Sequence, residues 1–117
     1  MSDGAGTGRC PGGDGAPLSA AERVELERDW LQLTRDTLPA LALDRSWPVK
    51  ADHCFQRIFL DNALGGRWYD HVAARPAYRH VDAEALARAV ELARAAIQGE
   101  VDLIDLNRRS LAWRGKR

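Results

Sequence analysis

A chain of 117 residues with 45% apolar side chains is sized for one domain with a modest core. Its 17 basic and 17 acidic residues cancel, which argues against a generic binder of polyanions. No apolar run approaches the ~18 residues of a membrane span, and no basic-then-apolar leader opens the chain. Two cysteines, Cys10 and Cys54, are too few for a disulfide framework, so a reducing, cytoplasmic setting is expected.

Residues 1–17 hold six of the ten glycines and, Met1 apart, no large apolar side chain. Such a segment buries too little surface to offset its ordering entropy and reads as a disordered tail. Its glycines lack the preceding strand and the following Gly-Lys-Ser/Thr of a phosphate loop. Residues 18–117 read as a single helical domain. Ser19 and Glu22 form a capping box, and a helix follows from about residue 20 into the high thirties. Leu26, Trp30 and Leu33 make its apolar stripe, with Leu31 and Leu38 beside them. Pro39 kinks this helix or begins a second segment over 40–45, and Trp47-Pro48 forces an extended step.

The next stretch, "DHCFQRIFLDNALGG" from Asp52, predicts a helix capped by Asp52 and stopped by Gly65-Gly66. A short helix is expected over 67–74, stopping near Pro76. Asp82 caps a helix over Ala83–Gln98 that ends at Gly99. Leu86, Val90, Ala93 and Ile97 share one face of it; Glu84, Arg88, Glu91 and Arg94 share the other. A last helix starts near Asp102 and carries Leu103, Leu106 and Leu111. Nothing alternates at period two and no repeat is visible. The fold class is all-α: one small bundle of about five helices behind a disordered tail.

Wound at about 100° per residue, the stretch places Cys54, Phe55, Ile58, Phe59 and Ala63 on one broad arc. His53, Arg57 and Asp61 form a narrow stripe expected to be solvated or salt-bridged. A helix so nearly apolar all round belongs in the interior. Asp52, His53 and Cys54 point in different directions and are not a catalytic unit. Cys54 reads as a packed thiol rather than a nucleophile. His53, Cys54, Asp70, His71 and His80 offer no chelating spacing, so no metal site is expected, and nothing calls for a cofactor.

Asn62 falls within the apolar arc, and Asn107 and Ser110 fall on the inward arc of the last helix. A buried amide without partners costs ~1–3 kcal/mol, so these groups must be hydrogen-bonded. They make either a structural network that sets the packing register or a polar pocket. The C-terminal "NRRSLAWRGKR" adds five cations, Arg108, Arg109, Arg114, Lys116 and Arg117, with Trp113 and Ser110 between them. Basic and aromatic residues together suit an anionic partner, nucleic acid being a weak candidate. The candidate ligand-binding set is therefore His53, Arg57, Asp61, Asn62, Asn107, Arg108, Ser110, Trp113 and Arg114. Of the four tryptophans, Trp30 reads as core and Trp47 as folded over the bundle; an exposed Trp47/Trp68 pair would instead mark a protein partner.

The segments "WPVKADHCFQRIFLDNALGGRWYDHV" and "LNRRSLAWRGKR" resemble a group of short bacterial proteins. That group combines a "WPV…HCF.RI.LDNA.G..W" centre with an "LNR.SLAWRGK" end. Some of its members are labelled GNAT-type N-acetyltransferases, and the resemblance would imply acetyl transfer from acetyl-CoA to an amine. The residues supply neither the mixed sheet nor the Arg/Gln-x-x-Gly-x-Gly/Ala turn of that fold, so no catalytic residue is carried over. The reading is a small cytoplasmic binding or accessory protein whose partner is an anionic ligand. An acetyltransferase and a protein-interaction module are the alternatives.

Overall fold

The computed structural model describes residues 19–115. The tail reading of 1–17, Cys10, residue 18, Lys116 and Arg117 lie outside the described residues. Five helices of eight or more residues form, and none of the described residues is in a strand. No helix among them is long and apolar enough to cross a membrane.

Helix α1 (Ala20–Gln32) starts on the capping box, with the Glu22 N–H donating to Ser19 Oγ at 3.1 Å and the Ser19 N–H to Glu22 Oε1 at 2.9 Å. It runs through a single π turn, Leu33–Thr37, into α2 (Leu38–Arg45). The cause is Pro39. It has no N–H for the Arg35 carbonyl, and its ring would press on that oxygen in a regular helix. The widened turn is where the chain accommodates both. The Thr34 hydroxyl, fully buried there, donates to the Trp30 carbonyl at 2.9 Å and accepts from Gln56 Nε2 at 3.0 Å.

Helix α3 (Asp52–Leu64) is the centre of the bundle. It packs against α5 (Ala83–Gln98), α6 (Leu103–Trp113) and the π turn. Phe55, Ile58 and Phe59 are completely buried, each such side chain stabilising the fold by ~1.5–3 kcal/mol. The facing side of α5 carries Leu86 and Val90 among four fully or nearly fully buried alanines, Ala85, Ala89, Ala93 and Ala96. Small side chains on α5 leave room for bulky ones on α3. Trp47 meets the edge of Phe55, ring centroids 5.9 Å apart, and is 7% exposed.

Two expectations are corrected and a third is narrowed. The cap of α3 is Ala51, not Asp52, which stands one residue later and accepts from the His53 N–H at 2.7 Å. The expected helix over 67–74 shrinks to one 3-10 turn, Trp68–Asp70, and a separate turn α4 (Ala77–His80) follows Pro76. The stripe His53–Arg57–Asp61, expected to be solvated or salt-bridged, is solvated only at its outer end: His53 is exposed, Arg57 half-buried, and Asp61 fully buried in an ion pair with Arg114. The three residues do share one helical stripe, and α6 closes over its inner end.

Arginines tie the helix ends together. Arg45 donates to the Ala96 and Ile97 carbonyls at the end of α5, at 3.0 and 2.7 Å. Arg88 donates from Nε and Nη2 to the Ala63 carbonyl at the end of α3. Arg23 donates to the Tyr78 and Val81 carbonyls around α4. Each places a cation where a helix leaves carbonyls unpaired and its dipole is negative.

Candidate functional site

The interface of α3 and α6 is polar at one end, and Asp61 is its hub. This carboxylate is fully buried yet accepts four hydrogen bonds. Oδ2 accepts from Ser110 Oγ at 2.7 Å and Arg114 Nε at 2.7 Å; Oδ1 accepts from Arg114 Nη2 at 3.0 Å and the Trp68 N–H at 2.9 Å. Its acceptor sites are all used, and the Arg114 fork is bidentate. Arg57, one turn earlier on α3, reaches α6 as well. Its Nη1 donates to Ser110 Oγ and its Nη2 to Asn107 Oδ1, both at 2.8 Å. Ser110 thus accepts from Arg57 and donates to Asp61. Asn62 forms the flank of this layer, donating to the Ile58 and Leu106 carbonyls at 2.8 and 3.0 Å.

The network has an outer surface. His53, Gln56, Arg57, Leu60, Trp68, Arg75, Pro76, Ala77, Tyr78 and Arg114 line a groove of about 570 Å³. That lies within the size range of small-molecule sites. Three guanidiniums face it, and no carboxylate is among its lining residues. Arg57 spends its ionic charge on neutral acceptors, Ser110 and Asn107, and has no carboxylate in ion-pair contact among the described residues. Arg75 stacks over the Trp68 ring at 5.1 Å. Arg114 is held at its root by Asp61 and lies over the Tyr69 ring at 5.0 Å.

The neighbouring charges do not extend this surface. Arg67 pairs with Asp70 at 2.8 Å, and that hydrogen bond and charge hold its guanidinium above its ordinary pKa. Arg79 is likewise raised, through its contact with the Tyr78 side chain. A second groove of about 580 Å³ along α1 is lined by Glu27 and Asp36 as well as Arg28, Arg35 and Arg79, a mixed surface with no preference for an anion.

Of the residues singled out in the sequence, Arg57, Asp61, Asn107, Ser110 and Arg114 come together in one network, with Asn62 beside it and His53 at the groove. Arg108 and Trp113 do not join them. Arg108 is exposed and sits 3.9 Å from Asp105, which also holds Arg109 at 3.3 Å. Trp113 is 38% exposed and outside the groove lining. Each is adjacent in sequence to a network residue, and one helical step of about 100° turns it away. The described part of the basic C-terminal segment, through residue 115, is therefore not one continuous charged surface. Sequence reasoning missed Arg75, Tyr78 and Gln56. They reach the groove through the path of the 71–76 loop and the packing of α3 on the π turn, for which no local pattern exists.

Cys54 is a half-buried free thiol, and no three His, Cys, Asp or Glu side chains cluster among the described residues. Trp47 is buried and Trp68 half-buried, so the exposed tryptophan pair of a protein-docking face is not formed. Comparison with protein-family models, with curated proteins and with solved structures finds no match for this chain.

Proposed function

We propose that this chain is a small helical binding protein that takes an anionic group in the groove between α3, the 68–76 loop and the end of α6. The observation that carries this reading is the convergence of Arg57, Arg75 and Arg114 on one groove whose lining holds no carboxylate. Guanidiniums bind carboxylate and phosphate oxygens in bidentate fashion, and fixed ones lose less entropy in doing so. Two of the three are fixed here: Arg57 by Ser110 and Asn107, Arg114 by Asp61. The asparagine and serine orient the cations rather than the ligand. A discrete groove of this size favours a small molecule over an extended polyanion, because Arg108 and Arg109 beyond it are engaged by Asp105.

A thermal-shift and calorimetric screen tests the reading. The panel holds carboxylates, phosphorylated metabolites, nucleotides, acetyl-CoA, short DNA and RNA. A ligand at 100 times its dissociation constant adds ~2.7 kcal/mol of stability, a clear shift. The expected result is a shift with anionic small molecules that disappears in Arg75→Ala. Arg75 is an exposed residue whose contact among the described residues is the Trp68 ring, so its loss is expected to leave the fold intact. A shift that survives Arg75→Ala, or none with any anion, refutes the assignment.

A further inference from the structure

The reading of the groove as an anion site leaves open what kind of anion it accepts, and its charge and donor arrangement narrow that. We infer that the ligand is a small molecule carrying one phosphate monoester on a flat apolar body. The inference rests on the groove reading and deepens it.

Charge comes first. Three guanidiniums line the groove, and the carboxylate that pairs with one of them, Asp61, is sealed from solvent and shared by Arg114 and Ser110. Leaving His53 aside, the site carries a net charge of about two positive units. A carboxylate or sulfonate brings one negative charge and leaves a cation unanswered. A phosphate monoester brings about −1.5 to −2 at neutral pH and three acceptor oxygens.

The free donors agree. Arg57 gives one bond each from Nη1 and Nη2 to Ser110 and Asn107, which leaves its Nε–H and one hydrogen on each Nη. Arg114 gives Nε and one Nη2 hydrogen to Asp61, which leaves both hydrogens of Nη1 and one of Nη2. Among the described residues, Arg75 has only its stacking contact with Trp68. Free donors on three separate arginines suit a tetrahedral group with three exposed oxygens better than a planar group with two.

Apart from His53 and Gln56, the remaining wall is apolar. Leu60, Trp68, Pro76, Ala77 and Tyr78 line the groove beside the cations. An anion with no organic body would leave that surface wet, whereas a ring would cover it. The same boundary disfavours a nucleic-acid strand. A strand carries a charge every ~3.4 Å and needs cations along its whole track. Of the other arginines, Arg67, Arg108 and Arg109 are each paired with aspartate, and Arg79 is drawn to the Tyr78 ring.

Isothermal titration of the full chain with three probes tests this. Phenyl phosphate carries the ring and two charges, benzenesulfonate the same ring and one charge, and inorganic phosphate the charge without the ring. Phenyl phosphate is expected to bind at least tenfold tighter than either, and to lose at least tenfold in Arg75→Ala and in Arg57→Lys. Circular dichroism of each variant confirms the fold; Arg57→Lys keeps the charge while losing the fork. Benzenesulfonate binding as tightly as phenyl phosphate overturns the requirement for a dianion and leaves the groove an anion site. Inorganic phosphate binding as tightly overturns the apolar body. Phenyl phosphate binding unchanged in Arg75→Ala, or no binding of any probe while DNA binds, overturns both this inference and the groove reading.

Discussion

Asp61→Ala is the sharpest test of how this fold is held. The wild-type carboxylate is fully buried, carries a bidentate ion pair to Arg114 and accepts from Ser110 and the Trp68 N–H. Removing it strands three donor groups. Arg114 is 16% exposed, so its charge cannot simply return to water without displacing the chain end. Breaking a buried pair from one side costs ~3–5 kcal/mol. For a domain near 100 residues, 1 kcal/mol moves the midpoint by ~4–8 °C, so a fall of at least ~12 °C is expected. Total stability in this size class is ~5–15 kcal/mol, which puts the variant near the edge of folding. Urea denaturation followed by far-ultraviolet circular dichroism and tryptophan fluorescence measures it directly. The double variant Asp61→Leu/Arg114→Met, which removes both charges and supplies apolar volume, is expected to recover most of the loss. A loss below ~1 kcal/mol in Asp61→Ala, the size of an exposed ion pair, refutes a buried hub at Asp61.

Other consequences are smaller and separable. Arg88→Ala removes two hydrogen bonds to the Ala63 carbonyl at the end of α3, and a loss of about 1 kcal/mol is expected in the same urea experiment. Ser46 ends α2 at φ 55°, ψ 40°, a left-handed conformation that costs a side-chain-bearing residue ~1–2 kcal/mol. Ser46→Gly is therefore expected to raise the midpoint, and Gly99→Ala, at φ 81°, to lower it; opposite signs would show these caps are not strained as described. Asn62→Ala gives up bonds to the Ile58 and Leu106 carbonyls and is expected to cost about 1 kcal/mol with no change in phenyl phosphate affinity. Arg108→Ala, exposed and paired only at the surface, is expected to change stability by less than ~0.5 kcal/mol and to leave that affinity untouched.

What the chain determined by itself is local. The capping box at Ser19, the Asp82 and Asp102 caps and the left-handed stops at Gly65 and Gly99 are carried by neighbouring residues, and each forms where the sequence placed it. Helical periodicity also placed Asn107 and Ser110 on the buried side of α6 and Arg57 and Asp61 on one stripe of α3. Periodicity gives an angle about a helix axis but not the neighbour at that angle. Whether the stripe met water or another helix was decided by the docking of α6 on α3, which took Asp61 from an expected surface position to complete burial. The groove is further still from local rules. Arg75 enters it because the helix expected over 67–74 stops after one 3-10 turn, Trp68–Asp70, and the irregular segment that follows lays the Arg75 guanidinium on Trp68. Hydrogen bonds within a few residues are specified by composition and spacing. The meeting of Arg57, Arg75 and Arg114 depends on the packing of the whole bundle, where long-range apolar burial outweighs local preference.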